Sequence, residues 1–178
     1  MTKMSKNNKN DKNIISIRNI PFGSLEAFNV IVEIPEGSNL KYEYDEASDE
    51  IKVDFIFKDL FFPFSYGFVP HTLGGDGDQL DAIVLASAPL ASGTVVKCQA
   101  VGVLETLDRG EVDNKLIVLP VGDSLAKKYH DISALPPDSL KKWTDLYMEI
   151  GRQKQKTIVV KGLKNKQVAL EEIKKALI

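Results

Sequence analysis

Three aspartates lie close together in the stretch GGDGDQLDAIVL, residues 74–85, between a pair of glycines and an apolar run. In an extended chain alternate residues point to the same side, so Asp76 and Asp78 converge, and Gly77 permits the tight backbone between them. Asp81 enters the following strand and can lean back towards them. Carboxylates this close raise each other's pKa, and a bound cation resolves the conflict. Oxygen ligands without His or Cys suit a hard ion such as Mg²⁺, which shares its coordination with substrate phosphates.

Two other interpretations of this stretch compete with a magnesium site. The aspartates could form a turn in which their side chains cap backbone N–H groups. A calcium loop of the EF-hand type is excluded, because its sixth position requires Gly where Asp81 stands and its twelfth requires Glu where Ser87 stands. The stretch alone leaves a turn and a metal site open, and the rest of the chain has to decide between them.

Two further groups of charged residues accompany the aspartates. A loop between apolar strands, LDRGEVDNKL, carries Asp108, Glu111, Asp113 and Lys115. The segment VEIPEGSNLKYEYD carries Glu33, Lys41 and Glu43, which on facing strands could point into one cavity. Taken alone, the first group equally describes a solvated hairpin, and the second equally describes the polar outer face of a sheet.

Short segments rich in β-branched and aromatic residues must position these groups. Gly, Pro, Asn and Asp separate the segments, a pattern typical of antiparallel strands in a closed or strongly curled sheet. The predicted strands cover residues 28–34, 40–44, 51–57, 81–86, 93–105, 115–120 and 156–162.

Helical spacing of apolar residues occurs only late in the chain. Leu140, Trp143, Tyr147 and Ile150 recur at intervals of three or four behind Asp138, which predicts a helix lying on the sheet. A terminal amphipathic helix follows the last strand, with Ala169, Leu170, Ile173 and Leu177 on one face. The fold class is therefore β-rich α+β, a β-barrel with flanking helices.

Length and composition favour one cytoplasmic domain. At 178 residues with 43% hydrophobic content, the chain can bury roughly 70% of its unfolded surface in one core. Residues 1–13, rich in Lys and Asn, predict a disordered tail, which leaves 14–178 as the domain. The single cysteine, Cys98, forms no internal disulfide and suits a reducing compartment.

Several classes of partner and reaction lack support in the sequence. The net charge of −2 gives no bulk attraction to nucleic acid or to an anionic membrane. A signal peptide and an apolar run of roughly 20 residues are both missing, so membrane insertion is not expected. The phosphate loop GxxxxGK[ST], the GxGxxG fingerprint and the GxSxG elbow are absent as well.

Taken together, the charged groups resemble those of the soluble family I inorganic pyrophosphatases. The stretch DGDQLD resembles the family's DGDPxD signature, with Gln79 in place of the usual Pro. The resemblance extends over about residues 31–162 and includes VEIP, KYEYD, FPFSYG and the DxxxxDxK of Asp108, Asp113 and Lys115. It implies an OB-like five-stranded antiparallel β-barrel with flanking helices. It also implies assembly into homo-oligomers, of which the hexamer is favoured.

The resemblance further implies a reaction and a role for each site residue. Pyrophosphate would be hydrolysed to two phosphates by a metal-bridged hydroxide, with several Mg²⁺ ions in each active site and Mn²⁺ or Zn²⁺ as substitutes. Asp78 would be the general base. The implied metal ligands, direct or through water, are Asp76, Asp81, Asp113, Asp108, Glu33 and Glu43. The implied phosphate contacts are Lys41, Lys115, Tyr66 and Tyr147.

Three positions depart from the commoner bacterial pattern of the family. Phe62 replaces a Tyr, Phe55 replaces a phosphate-binding Arg, and Met148 replaces a Lys. A phenyl ring cannot supply the bidentate fork that guanidinium offers to phosphate. Lys52 or Lys58 could compensate for the Arg that Phe55 replaces. Arg152 or Lys154 could compensate for the Lys that Met148 replaces.

These departures keep two alternatives to an active enzyme open. One is a catalytically weakened relative that binds metal and phosphate as a regulator or scaffold. The other is an OB-like module that binds nucleic acid, which the acidic groups and the absence of an Arg-aromatic stripe disfavour.

Overall fold

The computed structural model describes residues 16–178, so the predicted tail at 1–13 lies outside the described residues. This part of the chain forms nine strands and two α-helices. The strands are β1 (Phe28–Ile34), β2 (Leu40–Asp45), β3 (Glu50–Ile56), β4 (Ser65–Phe68), β5 (Asp81–Val84), β6 (Val95–Asp108), β7 (Glu111–Val112), β8 (Lys115–Pro120) and β9 (Ile158–Asn165). The helices are α1 (Ser139–Lys154) and α2 (Lys166–Ala176). Within residues 16–178 no helix is long and apolar enough to cross a membrane.

Five strands are paired in a ring. β1 pairs with β4, β4 with β5, β5 with β8, β8 with β6, and β6 again with β1. The predicted fold class, a β-rich α+β chain built on a curled five-stranded sheet with flanking helices, is confirmed. One pairing differs from the antiparallel expectation, because β5 and β8 run parallel. Long connections between these two strands, through β6 and β7, permit that direction.

Both faces of the sheet are buried, which explains the nearly continuous apolar runs in its strands. In β8, Ile117 and Leu119 join the core that α1 covers, while Leu116 and Val118 point to the core that α2 covers. Every residue of β8 is buried as a result, including Lys115 at its start. A lysine placed there has to find charged partners inside the protein.

The two helices were predicted at nearly their observed positions. α1 starts directly after Asp138 and buries Trp143, Tyr147 and Ile150 against the sheet. Trp143 meets Phe64 edge-to-face, with ring centroids 5.9 Å apart. α2 is capped by the side chain of Asn165, which accepts a hydrogen bond from the Val168 backbone. The start of α2 is therefore fixed by a side-chain cap, whereas α1 is held mainly by the burial of its apolar face.

The sequence pattern missed two strands. β7 has only two residues, and β4 consists of the segment SYGF, whose buried residues show no alternation of polar and apolar side chains. Within β4, Gly67 packs so closely on β1 that an added Cβ atom would lie 1.9 Å from the carbonyl oxygen of Ile31. A glycine in a strand usually suggests a bend, but here it permits the close approach of two backbones.

β2 and β3 form a separate two-stranded hairpin beside the ring. Its inner edge is joined to β1 by the Glu33 carboxylate, which accepts a hydrogen bond from the Tyr44 backbone at 2.7 Å. The hairpin carries Lys41 and Glu43 on β2 and Asp54 on β3. It thus extends the ring on the side where the charged groups meet.

Candidate active site

One cavity of about 420 Å³ brings together all of the predicted site residues. They come from β1, the β2–β3 hairpin, the loop before β5, the region from β6 to β8, and α1. The eleven are Glu33, Lys41, Glu43, Tyr66, Asp76, Asp78, Asp81, Asp108, Asp113, Lys115 and Tyr147. Their convergence is observed, whereas the individual roles stay predictions.

The loop before β5 is both a turn and part of the cavity wall. Asp76 Oδ1 accepts a hydrogen bond from the Asp78 backbone at 3.1 Å, the capping contact expected of a turn. Gly77 takes a positive φ of 93°, which a side chain would disfavour. Burial, and then the charges of Asp76 and Asp81, raise the pKa of Asp78. The two interpretations of this stretch therefore do not exclude each other.

Lys115 lies at the centre of the carboxylates, with its side chain 5% exposed. Its ammonium group contacts Asp81 Oδ2 at 2.5 Å and also pairs with Asp113. The parallel register of β5 and β8, which sets Asp81 opposite Lys115, produces this contact. Burial alone would lower the pKa of Lys115, but Asp81 and Asp113 raise it, so the ammonium stays charged. Burial raises the pKa of Asp113, an effect that Lys115 opposes.

The wall formed by β1 and the hairpin holds a second set of charges. Glu33 is 7% exposed, and burial, followed by the charge of Asp81, raises its pKa to about 8. Lys41 donates to Glu43 Oε2 at 2.5 Å and to Asp54 Oδ2 at 3.1 Å. Glu43 is the most accessible of these, with its side chain 56% exposed.

Asp108 lies at the end of β6 and pairs with a lysine that the sequence did not single out. Lys156, between α1 and β9, donates to Asp108 Oδ2. Arg109 lies next to the same carboxylate, with its Nε 3.6 Å from Oδ1. Oδ1 is buried and accepts no hydrogen bond from any described residue. Asp108 thus has one buried oxygen that lacks a hydrogen-bond donor, with the Arg109 guanidinium beside it.

Two tyrosines line the apolar side of the cavity. Tyr66 on β4 and Tyr147 on α1 are both buried, and both belong to the core that α1 covers. Within residues 16–178 the Tyr147 hydroxyl makes no hydrogen bond of good geometry, although the Tyr66 hydroxyl lies near it. Burial raises the pKa of both phenols, so they remain hydrogen-bond donors at neutral pH.

Three cationic residues of the cavity were not assigned a site role from the sequence: Arg109, Lys154 and Lys156. Arg109 directly follows Asp108, a predicted site residue, and this adjacency could have been used to predict Arg109 from the sequence. Lys156 became a neighbour of Asp108 through the pairing of β6 with β9, which sets Asp108 opposite Ile158. No local pattern in the sequence reveals that register. Lys154 was named only as one of four compensating cations.

The donor set fits hard divalent cations, because every candidate ligand is a carboxylate. As the side chains stand, no three His, Cys, Asp or Glu residues of the described chain are grouped closely enough to hold a metal ion. Lysines instead hold these carboxylates in ion pairs, above all Lys115 with Asp81 and Asp113. Asp108 Oδ1, which accepts no hydrogen bond from any described residue, shows that the lysines do not satisfy the whole set. Metal binding would therefore require side chains to turn within a cavity that already carries the candidate ligands.

The cavity carries nine carboxylates and five lysine or arginine side chains. An excess of negative charge around buried lysines suits a site in which cations and an anionic ligand bind together. The curled five-stranded sheet and this cavity define a β-rich α+β class of protein with a cavity lined by carboxylates and lysines.

Comparison with known proteins identifies the family within that class. Residues 30–177 match the family model described as inorganic pyrophosphatase. The inorganic pyrophosphatase of Aquifex pyrophilus is 38% identical over 159 residues, covering 85% of this chain and 88% of the relative. Soluble inorganic pyrophosphatase 1 of Arabidopsis thaliana is 36% identical over 152 residues, covering 85% of this chain and 72% of the relative. The chain belongs to the inorganic pyrophosphatase family.

Solved structures agree with that assignment. The crystal structure of inorganic pyrophosphatase from Thermus thermophilus superposes with a TM-score of 0.84 at 33% identity, covering 91% of this chain and 97% of that one. The enzyme from Helicobacter pylori gives a TM-score of 0.82 at 35% identity, covering 89% and 95%. The predicted family and its OB-like fold are therefore both confirmed.

Proposed function

We propose that the protein hydrolyses inorganic pyrophosphate to two phosphates with the help of several bound Mg²⁺ ions. The observation that carries this proposal is the single cavity in which all eleven predicted site residues converge. Membership of the inorganic pyrophosphatase family supports the same reaction.

The family resemblance divides the carboxylates into two sets of ligands. Asp76, Asp81 and Asp113 would hold the tightest ions, while Glu33, Glu43 and Asp108 would serve ions that arrive with the substrate, directly or through water. When bound, the ions would neutralise pyrophosphate, which brings about three or four negative charges, and would lower the pKa of the attacking water. Mn²⁺ and Zn²⁺ are candidate substitutes because they also accept carboxylate oxygen.

Asp78 takes the role of general base. The hydrogen bond from its backbone N–H to Asp76 Oδ1 fixes the turn on which it lies. Burial and the neighbouring aspartates raise its pKa above the ordinary value for an aspartate. A base whose pKa lies closer to neutrality removes a proton from water more readily at physiological pH.

Lys41 and Lys115 contact the phosphates and remain held by their present partners. A lysine ammonium has three N–H donors. Lys115 donates one N–H to Asp81 and one to Asp113. Lys41 likewise donates one N–H to Glu43 and one to Asp54. Each lysine therefore has one further donor for a phosphate oxygen. Lysine acts there as a point charge, which stabilises the charge that develops as the bond to phosphorus breaks.

Tyr66 and Tyr147 would complete the phosphate contacts from the apolar wall. The buried Tyr147 hydroxyl, which makes no hydrogen bond of good geometry in residues 16–178, supports this role. An unpaired buried hydroxyl costs free energy, and a phosphate oxygen would remove that cost.

The alternative of a catalytically weakened relative is not favoured. The carboxylates, lysines and tyrosines of the resemblance are all present and line one cavity. Phe55 and Met148, which replace an Arg and a Lys of the family pattern, remove basic side chains that would contact phosphate. They leave the proposed base and the proposed metal ligands in place.

The deciding experiment measures phosphate release from pyrophosphate with Mg²⁺, Mn²⁺ or Zn²⁺ against a metal-free blank. Asp78→Asn should lower the rate about 10²- to 10⁴-fold, the usual contribution of a general base, with thermal unfolding unchanged. Asp145→Asn is the matched control, because Asp145 lies on the exposed face of α1 and pairs only with Lys141 there. Release no faster than the blank with all three metals would contradict the proposal.

We also propose that the protein works in the cytoplasm as a homo-oligomer, with the hexamer as the favoured assembly. Family resemblance supports the assembly, and the single buried Cys98 suits a reducing compartment. Sedimentation equilibrium of the purified chain tests the assembly, since a monomer at micromolar concentration would contradict it.

A further inference from the structure

The C-terminal end of α1 brings a lysine into the cavity beside the hairpin. Lys154 is the last residue of the helix, its side chain is 21% exposed, and it lines the cavity wall. Its Nζ lies 2.7 Å from Asp54 Oδ2 and 5.6 Å from the centre of the Phe55 ring. From these contacts we infer that Lys154 is a phosphate-binding residue of this chain. The inference rests on the proposed function, because pyrophosphate supplies the phosphate.

Contacts on both sides hold the Lys154 ammonium in place. Asp54 accepts its hydrogen bond, and the face of Phe55 provides a second, weaker attraction for the cation. Phe55 itself packs against Phe57, with ring centroids 4.9 Å apart. The lysine therefore has a defined position at the cavity wall before any ligand binds.

The helix end is anchored to the chain that follows β3. Gln153 accepts a hydrogen bond from the Lys58 backbone N–H at 2.9 Å and donates one to the Lys58 carbonyl at 3.0 Å. This pair of bonds joins residues 95 positions apart. Because Gln153 directly precedes Lys154, the anchor fixes the lysine relative to Asp54 and Phe55.

Lys41 and Lys154 form one cationic pair. Both donate to the same oxygen of Asp54, at 3.1 and 2.7 Å, so their ammonium groups lie close enough to contact a single phosphate group. Lys154 uses one of its three donors on Asp54 and keeps the other two for a ligand. The shared carboxylate keeps the two positive charges together in the absence of an anion.

The other cations that could replace the missing positive charges lie outside the cavity. Lys52 pairs with Asp45 at 2.6 Å, and Arg152 pairs with Glu149 at 2.6 Å, both with largely exposed side chains. Neither of them nor Lys58 lines the cavity. Met148 is 61% exposed and does not line it either. Lys154 is thus the one compensating candidate in the described chain that reaches the site.

The test compares Lys154→Met with Lys154→Arg and with Arg152→Met, a control on the same helical turn that removes an exposed charge. A charge-assisted hydrogen bond is worth roughly 10- to 100-fold in affinity. Lys154→Met should therefore raise KM for magnesium pyrophosphate, and Kd for inorganic phosphate by calorimetry, about tenfold or more. Lys154→Arg should restore most of the affinity, and Arg152→Met should leave it unchanged. Equal affinities for Lys154→Met and Arg152→Met would overturn the inference.

A second measurement uses the unaltered protein. Reductive methylation of Lys154, followed by mass spectrometry of its peptide, should slow when inorganic phosphate and Mg²⁺ are added, while methylation of the exposed Lys141 should not change. Equal methylation of Lys154 with and without phosphate would overturn the inference. Failure of wild-type turnover would contradict the proposed function alone, because phosphate binding at Lys154 is measured without it.

Discussion

Replacing Tyr147 with Phe should make the protein more stable and its substrate binding weaker. The Tyr147 hydroxyl is buried and makes no hydrogen bond of good geometry within residues 16–178. An unsatisfied buried polar group costs about 1–3 kcal/mol. Deleting the hydroxyl removes that cost, and the small void left behind offsets part of the gain, so we expect about 1 kcal/mol of added stability. For a domain of this size that corresponds to a rise in Tm of about 2–4 °C.

The same hydroxyl is proposed to donate to phosphate, so its loss should raise KM for magnesium pyrophosphate about tenfold or more. Thermal unfolding without ligand and steady-state phosphate release provide the two measurements. Tyr44→Phe is the control for stability, because the Tyr44 hydroxyl donates to Asp49 Oδ1 at 2.8 Å and its deletion should lower Tm. A Tyr147→Phe protein that is less stable than wild type, or that binds substrate equally well, would refute the reasoning.

Two further predictions concern the scaffold. Gly67→Ala should prevent folding or lower Tm severely, since its Cβ would lie 1.9 Å from the Ile31 carbonyl oxygen; soluble protein with a wild-type unfolding curve would contradict this. Hydrogen bonds from Arg152 and Gln153 lower the pKa of Glu149 to about 2, so its contribution to stability is present above pH 4.5 and is lost as pH falls towards 2. Urea unfolding should therefore show a smaller loss of unfolding free energy between pH 4.5 and 2 for Glu149→Gln than for wild type. Parallel pH profiles for the two proteins would show that these hydrogen bonds do not contribute to stability.

Local patterns predicted most of the fold. β1 and β8 have the predicted bounds because their apolar runs are flanked by turn residues, and α1 begins after Asp138 as its apolar spacing indicated. β4 escaped detection because it is short, fully buried and contains Gly67. The parallel pairing of β5 with β8 escaped as well, because strand direction depends on how distant segments meet.

The site shows the same division between local and distant information. Motif spacing gave the acidic loop and the DxxxxDxK segment, whose residues all reach the cavity. Lys156 depends on the register between β6 and β9, and Lys154 depends on the anchoring of α1 by Gln153. Neither the register of these strands nor the hydrogen bonds of Gln153 produce a periodic pattern of residues in the sequence. The cationic side of the site was therefore harder to predict than the acidic side, which a single loop largely contains.

The balance of charge in the cavity explains why lysines and carboxylates occur together at such depth. Nine carboxylates face five cationic side chains, so without metals the basic side chains neutralise only part of the negative charge. Burial also raises the pKa of Glu33 to about 8, which favours the neutral form of this carboxyl group near neutral pH. Pyrophosphate adds about three or four negative charges to those of the carboxylates, and five basic side chains cannot offset both. The several divalent cations of the proposed function would supply the positive charge that the anion and the carboxylates need in order to share the cavity. Lys115, buried between Asp81 and Asp113, holds these two carboxylates together. In the proposed function it would also offer a donor to phosphate once the metals are bound.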